Sequence, residues 1–463
     1  MLKKLKRKVK TLISKKKKKP PLKPSSPPHP PSPPFPNQEE EPSPTSTMPL
    51  KKKQTLPFLF PVQQSTVLPD PSLFFSQSLL SSPLPTNSFF QNFTLKAGDQ
   101  PEYIHPYLIK SSSLSLSVSY PSISHNSAFF YQVFNPDLII SASGGPTPDT
   151  HKSQGHVISS YSDLSVTLDI PSINFRFFLA RGSPFVTCSI TGNTPVEIST
   201  VHAILSLTSN KTLTKYTIVL NNGQTWLVYS SSPINLTNSG VSSVTSGGFS
   251  GILRIAVLPG SSPKLEAILD RFSSCYPVSG DASFIRPFCL EYKWEKKGWG
   301  DLLMLAHPLH LKLLCALDCN ATVLEDVKYQ SVDGDLVGVV ADSWVLKSHP
   351  VSITWHSIKG VNEEAYDEIA SALQDDVGSL NSSGIGTNSS YFYGKLIARA
   401  ARLALIAEEV CCLDVIPTIG KFLKDTIEPW LEGTFGGNGF VYDDKWGGII
   451  TKLGSTDSGA DFG

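Results

Sequence analysis

From about Leu84 to Pro308 the chain alternates apolar and polar residues in short runs, cut by Ser, Asn, Gly and Pro. Leu114, Leu116 and Val118 alternate with serines; Leu164, Val166, Leu168 and Ile170 alternate with Ser, Thr and Asp. A period of two gives each strand one buried and one wet face. Tyr216–Leu220, Asn221-Asn222-Gly223 and Thr225–Tyr229 read as a hairpin, because Asn-Gly suits a turn that needs positive φ. Val196–Leu207 and Phe249–Leu258 are further strands. Lys264–Phe272 interrupts with Leu265, Ile268, Leu269 and Phe272 at helical spacing, which predicts one short helix. So many antiparallel strands in succession predict a large β-sandwich, with Phe129, Phe130, Phe177 and Phe178 in its core.

The start of the chain is of another kind. Residues 1–53 hold fifteen of the forty basic residues and three of the thirty-nine acidic ones, so the remainder carries a net charge of −11. Thirteen prolines fall between 20 and 49. Such a segment buries too little apolar surface to offset its ordering entropy, and residues 1–60 are expected to be disordered. The lysines stand where a secretory signal would need an apolar core. An acidic body is a poor binder of phosphate backbones, so nucleic acid is excluded as a partner, and no eighteen-residue apolar run exists to span a membrane. Six N-x-S/T sequons, at Asn92, Asn210, Asn235, Asn320, Asn381 and Asn388, pull the other way on compartment. A cytoplasmic location and an extracellular, wall-associated one reached by an unconventional route both stay open.

Seven scattered cysteines, without a CxxC pair, read as buried free thiols. His105, His307 and His310 invite a metal reading, but Pro308 argues against a regular helix presenting the last two, and no third ligand is near. No cofactor is expected.

The last stretch, Phe435 to Gly463, gathers Asp443, Asp444, Asp457 and Asp461 with Tyr442, Trp446 and eight glycines. Acids beside aromatic rings suit a sugar: rings lie flat on a pyranose face while carboxylates bind hydroxyls or move protons. The plainer reading is a glycine-rich hairpin, with Asp443 and Asp444 as turn residues and Asp457-Ser458-Gly459 as an Asx turn.

Seven segments carry a family likeness: TNSFFQNF (86–93), YIHPYLI (103–109), FSGILRIAVLP (249–259), YPVSGD (276–281), GDLLMLAHPLH (300–310), DGDLVGVVADSW (333–344) and the closing YDDKWGG…DSGADFG. Together they resemble glycoside hydrolase family 81, the inverting endo-β-1,3-glucanases, whose plant members include β-glucan elicitor-binding proteins. The resemblance runs from about residue 80 to the end. It implies a mixed fold: a β-sandwich (70–315), a small α/β connector (316–380) and, over 381–463, the first helices of an incomplete (α/α)₆ barrel. Strands at Gly338–Leu346 and Val351–Thr354, a helix capped by Asn362, and helices at Tyr391–Leu413 and Pro417–Leu431 fit that order. By the resemblance Tyr442, Asp443, Trp446, Asp457 and Asp461 line a β-1,3-glucan cleft, while the general acid and base fall beyond Gly463. It thus implies a C-terminally truncated member that binds glucan, whose two C-terminal helices pack only partly. The alternative is a non-catalytic binding protein for β-glucan elicitors.

Overall fold

The computed structural model describes residues 62–451, apart from 64, 86, 96–97, 145–154, 351–360, 383–384, 386–388 and 437–438. The disorder expected of 1–60, the strand expected at Val351–Thr354, Asn388, Asp457 and Asp461 all lie outside the described residues.

The body is dominated by one 13-stranded sheet. Two long strands, Val186–Ser199 and Ser243–Val257, run antiparallel along its middle. Their register shifts between Ile190 and Thr194 and again after Pro195, and there the sheet branches. The first half of Val186–Ser199 pairs with Phe175–Ala180, the second half with Leu138–Ala142. A bulge bends a strand and increases its twist, so a single strand can serve two branches. Both branches enclose one core: Val166, Leu168 and Phe177 from one side meet Leu116, Val118 and Ile140 from the other. Each such apolar side chain contributes roughly 1.5–3 kcal/mol by leaving water. The alternation read from the sequence thus found most strands and their inner faces, although the run Val196–Leu207 is the end of one strand, Val186–Ser199, and the start of another, Ile204–Ser209. The Asn-Gly hairpin is present, with Lys215–Leu220 against Thr225–Ser230 and Gly223 at φ 86°.

Two placements differ from expectation. Phe129 and Phe130 stand 60% and 69% exposed on the small hairpin Ile123–His125/Phe130–Gln132, outside the core that holds Phe177. The run Gly338–Leu346 is two strands in two sheets. Leu336–Val340 lies between Leu303–Ala306 and Thr322–Tyr329, whereas Ser343–Lys347 pairs with Cys289–Gly298. An apolar run bent at Ala341-Asp342 reads as continuous because both halves are buried. Both sheets draw strands from either side of residue 315.

The helices are α1 (Asn92–Leu95), α2 (Pro263–Phe272), α3 (Pro308–Leu313), α4 (Tyr366–Gly378), α5 (Ser390–Glu409) and α6 (Ile416–Leu431). Asn362 caps the turn before α4, its Oδ1 accepting from the Glu364 N–H at 3.3 Å. Leu373 and Val377 of α4, Ala400, Leu403 and Ala407 of α5, and Ile419 and Phe422 of α6 form a core of their own. These helices pack on one another along one face, while Tyr391, Phe392, Leu396 and Leu405 of α5 and Leu431 of α6 stay exposed, so their apolar surface is covered only in part. All seven cysteines are free thiols, but only Cys188, Cys275, Cys289 and Cys412 are buried as expected; Cys315 and Cys319 are half-buried and Cys411 is exposed.

Candidate functional site

The glycine-rich end folds as a hairpin, Phe440–Asp443 against Gly448–Thr451. Asp443 opens its turn. Its carboxylate Oδ1 accepts from the N–H groups of Lys445 (3.0 Å) and Trp446 (3.1 Å), and its carbonyl accepts from Gly447 N–H at 2.7 Å. Gly447 sits at φ 70°, and a Cβ there would press on Pro83 at 3.1–3.2 Å. Glycine is needed on both counts.

This turn drives Trp446 into the body. Its ring is 1% exposed and meets Phe75 edge-on with centroids 5.8 Å apart, inside the main core of the sheet. The indole N–H donates to the Pro69 carbonyl at 2.9 Å, and Leu84 N–H donates to the Trp446 carbonyl at 3.0 Å. Residues 62–84 form a strap around the hairpin. Val62–Gln63 adds a parallel strand to Phe440–Asp443, Ser65 Oγ donates to the Asp444 carboxylate, and Lys445 Nζ lies 2.7 Å from Asp70. That lysine, helped by Ser72, holds the Asp70 carboxyl down to about 2.

The expected sugar-facing set must be corrected here. Trp446 has no free face for a pyranose, because the core covers both sides of its ring. Asp443 is 1% exposed and is spent on its own turn. Both serve the hairpin's attachment, which is the turn reading of Asp443. Tyr442 is half-buried on the strand, just before Asp443. Asp457 and Asp461 lie outside the described residues.

A cluster unread in the sequence joins the helices to the hairpin. Trp430 of α6 stacks on Phe435 (4.5 Å, 19°), and Phe440 and Tyr393 of α5 pack at 5.0 and 5.2 Å from the Trp430 ring. The Tyr393 hydroxyl donates to the Thr426 carbonyl at 3.1 Å. The aromatic density of 430–442 was the available signal; helical spacing alone points Trp430 and Tyr393 nowhere in particular.

The histidines do not make a metal centre. His307 caps α3: its Nδ1 accepts from Leu309 N–H at 3.1 Å, and His310 Nδ1 faces the His307 N–H at 3.4 Å. Pro308 takes the first helical position, where its missing N–H costs nothing, so a helix forms where the sequence argued against one. With Nδ1 an acceptor, His307 turns Nε2–H toward Asp333 at 3.5 Å, and His105 lies 4.0 Å from the same carboxylate. Burial pushes His310 down to about 4 and lowers His105, which keeps both rings neutral. Among the described residues no three His, Cys, Asp or Glu side chains are grouped to hold a metal ion.

A branched antiparallel sheet is thus followed by a helical segment and a strapped hairpin. The chain belongs to glycoside hydrolase family 81: the family's N-terminal domain matches residues 70–359 and its C-terminal domain residues 360–463. It is 66% identical over 406 residues to a glucan endo-1,3-beta-D-glucosidase of Glycine max, covering 88% of this chain and 60% of that protein. A primary septum glucan endo-1,3-beta-D-glucosidase of Schizosaccharomyces pombe is 23% identical over 84% of this chain and 41% of its own length. In fold, a family 81 glycoside hydrolase from Clostridium thermocellum superposes with a TM-score of 0.69 at 16% identity, over 86% of this chain and 55% of that one. The chain thus spans about half the length of the proteins it resembles. Among the described residues no helix is long and apolar enough to cross a membrane.

Proposed function

We propose that this chain is part of an endo-β-1,3-glucanase, and that its described residues hold and position the glucan rather than transfer protons. The observation that carries the substrate is the 66% identity to a protein named for that activity. An inverting glycosidase sets two carboxyls roughly 6.5–9.5 Å apart, one to protonate the leaving oxygen and one to activate water. The hairpin carboxylates are engaged otherwise: Asp443 by its turn, Asp444 by Ser65 and Asp70 by Lys445. Tyr442, Asp457 and Asp461 are the proposed glucan contacts, with Asp443 and Trp446 fixing the hairpin that presents them. Helices α4–α6 are proposed as the opening of an (α/α)₆ barrel, whose cleft the hairpin borders. The ligand is a neutral polymer or oligomer, without cofactor or metal.

Affinity electrophoresis tests this reading. The purified chain is expected to slow in native gels containing laminarin and to run freely in gels containing a β-1,4-glucan. Equal mobility in both would contradict it.

A further inference from the structure

One large aromatic side chain of the body is held out in water by design of its backbone. Trp299 is 85% exposed, and among the described tryptophans it alone is exposed. It follows the hairpin of Cys275–Arg286 and Cys289–Gly298, between Gly298 and Gly300, both at φ 88°. A Cβ on Gly298 would fall 1.9 Å from the Ser274 carbonyl oxygen, which instead accepts the Trp299 N–H at 3.0 Å. Only glycine lets the strand end so close to its neighbour. The Trp299 backbone is thus held against Ser274 at the strand end, and its ring stands in solvent. Tryptophan is usually well buried, and an exposed indole beside a cleft offers a flat face to a ligand.

Behind Trp299 opens a cleft of about 570 Å³, within the range of small-ligand sites, which runs roughly 300–1,000 Å³. Its polar groups are fixed in place. Ser231 Oγ accepts from Ile252 N–H at 2.9 Å, Ser273 Oγ donates to the Asp270 carbonyl at 2.8 Å, and Asn210 Oδ1 accepts from Thr214 N–H at 2.9 Å. Hydroxyl and amide oxygens so oriented keep spare lone pairs for a ligand.

Charge decides the ligand class. Lys215 is held 2.5 Å from Glu266 and 2.7 Å from Asp270. The buried Arg254 donates Nη1 to the carbonyls of Phe272 (2.9 Å) and Ser273 (2.6 Å), and its guanidinium lies 3.9 Å over the Phe185 ring. The cations are thus paired or turned inward, so an anion gains little here. No second exposed apolar side chain lines the cleft, so a protein partner finds no apolar patch. One flat ring beside a neutral, hydroxyl-rich cleft suits a polyhydroxylated ring compound.

We propose that Trp299 and this cleft form a glucan-binding site on the β-sheet body, separate from the hairpin and helices, taking a short stretch of β-1,3-linked glucosyl units. The site rests on the glucan reading given above. It shares no residue with the 360–463 segment and would give the polymer a further point of attachment.

The test compares the full chain with W299A and W299F, since truncating an exposed ring leaves the core intact. A β-1,3-linked glucohexaose should shift the wild-type tryptophan emission to the blue and shield it from iodide, and W299A should show neither change. Retention on laminarin should weaken roughly tenfold in W299A, with W299F between. Wild type and W299A equally retained, with no change in iodide quenching, would overturn this site and leave the glucan reading standing. Failure of both to be retained would instead bring down the glucan reading, and this site with it. An equal emission shift with a β-1,4-linked hexaose would overturn the β-1,3 assignment.

Discussion

The sheet body and the C-terminal segment are built on opposite plans. The body holds itself by pairing far-apart strands around one large core, in which Val186–Ser199 touches both branches. The helices α4–α6 hold themselves by near neighbours and a small core of about ten buried side chains. Yet the hairpin that follows them in sequence returns to the body, because Trp446 belongs to the body's core and not to theirs. The family's domain boundary at 359/360 is therefore not a boundary of packing. What looks like the start of a second domain is tied back to the body through its closing hairpin, which the strap of 62–84 holds.

Replacing Trp446 by Ala should break this arrangement most severely. Truncating a buried Trp costs about 3–5 kcal/mol, and here it also orphans the Pro69 carbonyl. The urea midpoint should drop, and hydrogen exchange should show Val441 and Ile450 losing protection together with residues 62–84. Protection lost only within the hairpin would mean the strap stands without it. Ile419→Ala in α6 should cost slightly less, about 2–5 kcal/mol, and its damage should stay local. Helical signal over 366–431 should melt before the sheet does. Simultaneous melting of both would erase the distinction between the two plans.

A smaller effect is confined to the body. Burial pushes the Glu102 carboxyl up to about 8, against the pull of the Asn92 and Phe93 N–H groups. The fold thus keeps a proton that the unfolded chain has released above the ordinary carboxylate range. Stability from this group is complete at acid pH and is lost as pH rises toward and through about 8. Glu102→Gln should flatten that decline in urea midpoints measured from pH 4 to 9, with the helical segment unaffected. An unchanged slope would assign the decline to other groups.

Local chemistry was legible in the sequence, and long-range placement was not. The Asn-Gly turn, the cap at Asn362, the helix near Lys264–Phe272 and the strand faces all follow from neighbours within a few residues. Trp446 does not. Its environment is made by Pro69, Phe75 and Leu84, some 370 residues earlier. An aromatic between two acids and two glycines looks the same whether it faces a sugar or a core. The histidines taught a similar lesson: spacing suggested ligands, whereas the backbone used His307 and His310 to close the start of α3. Trp299 is the reverse case, since its role is written by two positive-φ glycines that the pattern of strands passes over.

The central proposal is that the described residues hold a β-1,3-glucan and do not themselves cut it. Titration calorimetry of the purified chain with a β-1,3-linked glucohexaose, followed by chromatography of the sugar recovered from the cell, measures both halves at once. A saturable heat with the hexaose recovered whole is the predicted result. Absence of heat, or recovery of shorter oligosaccharides released at an enzymatic pace, would contradict the account.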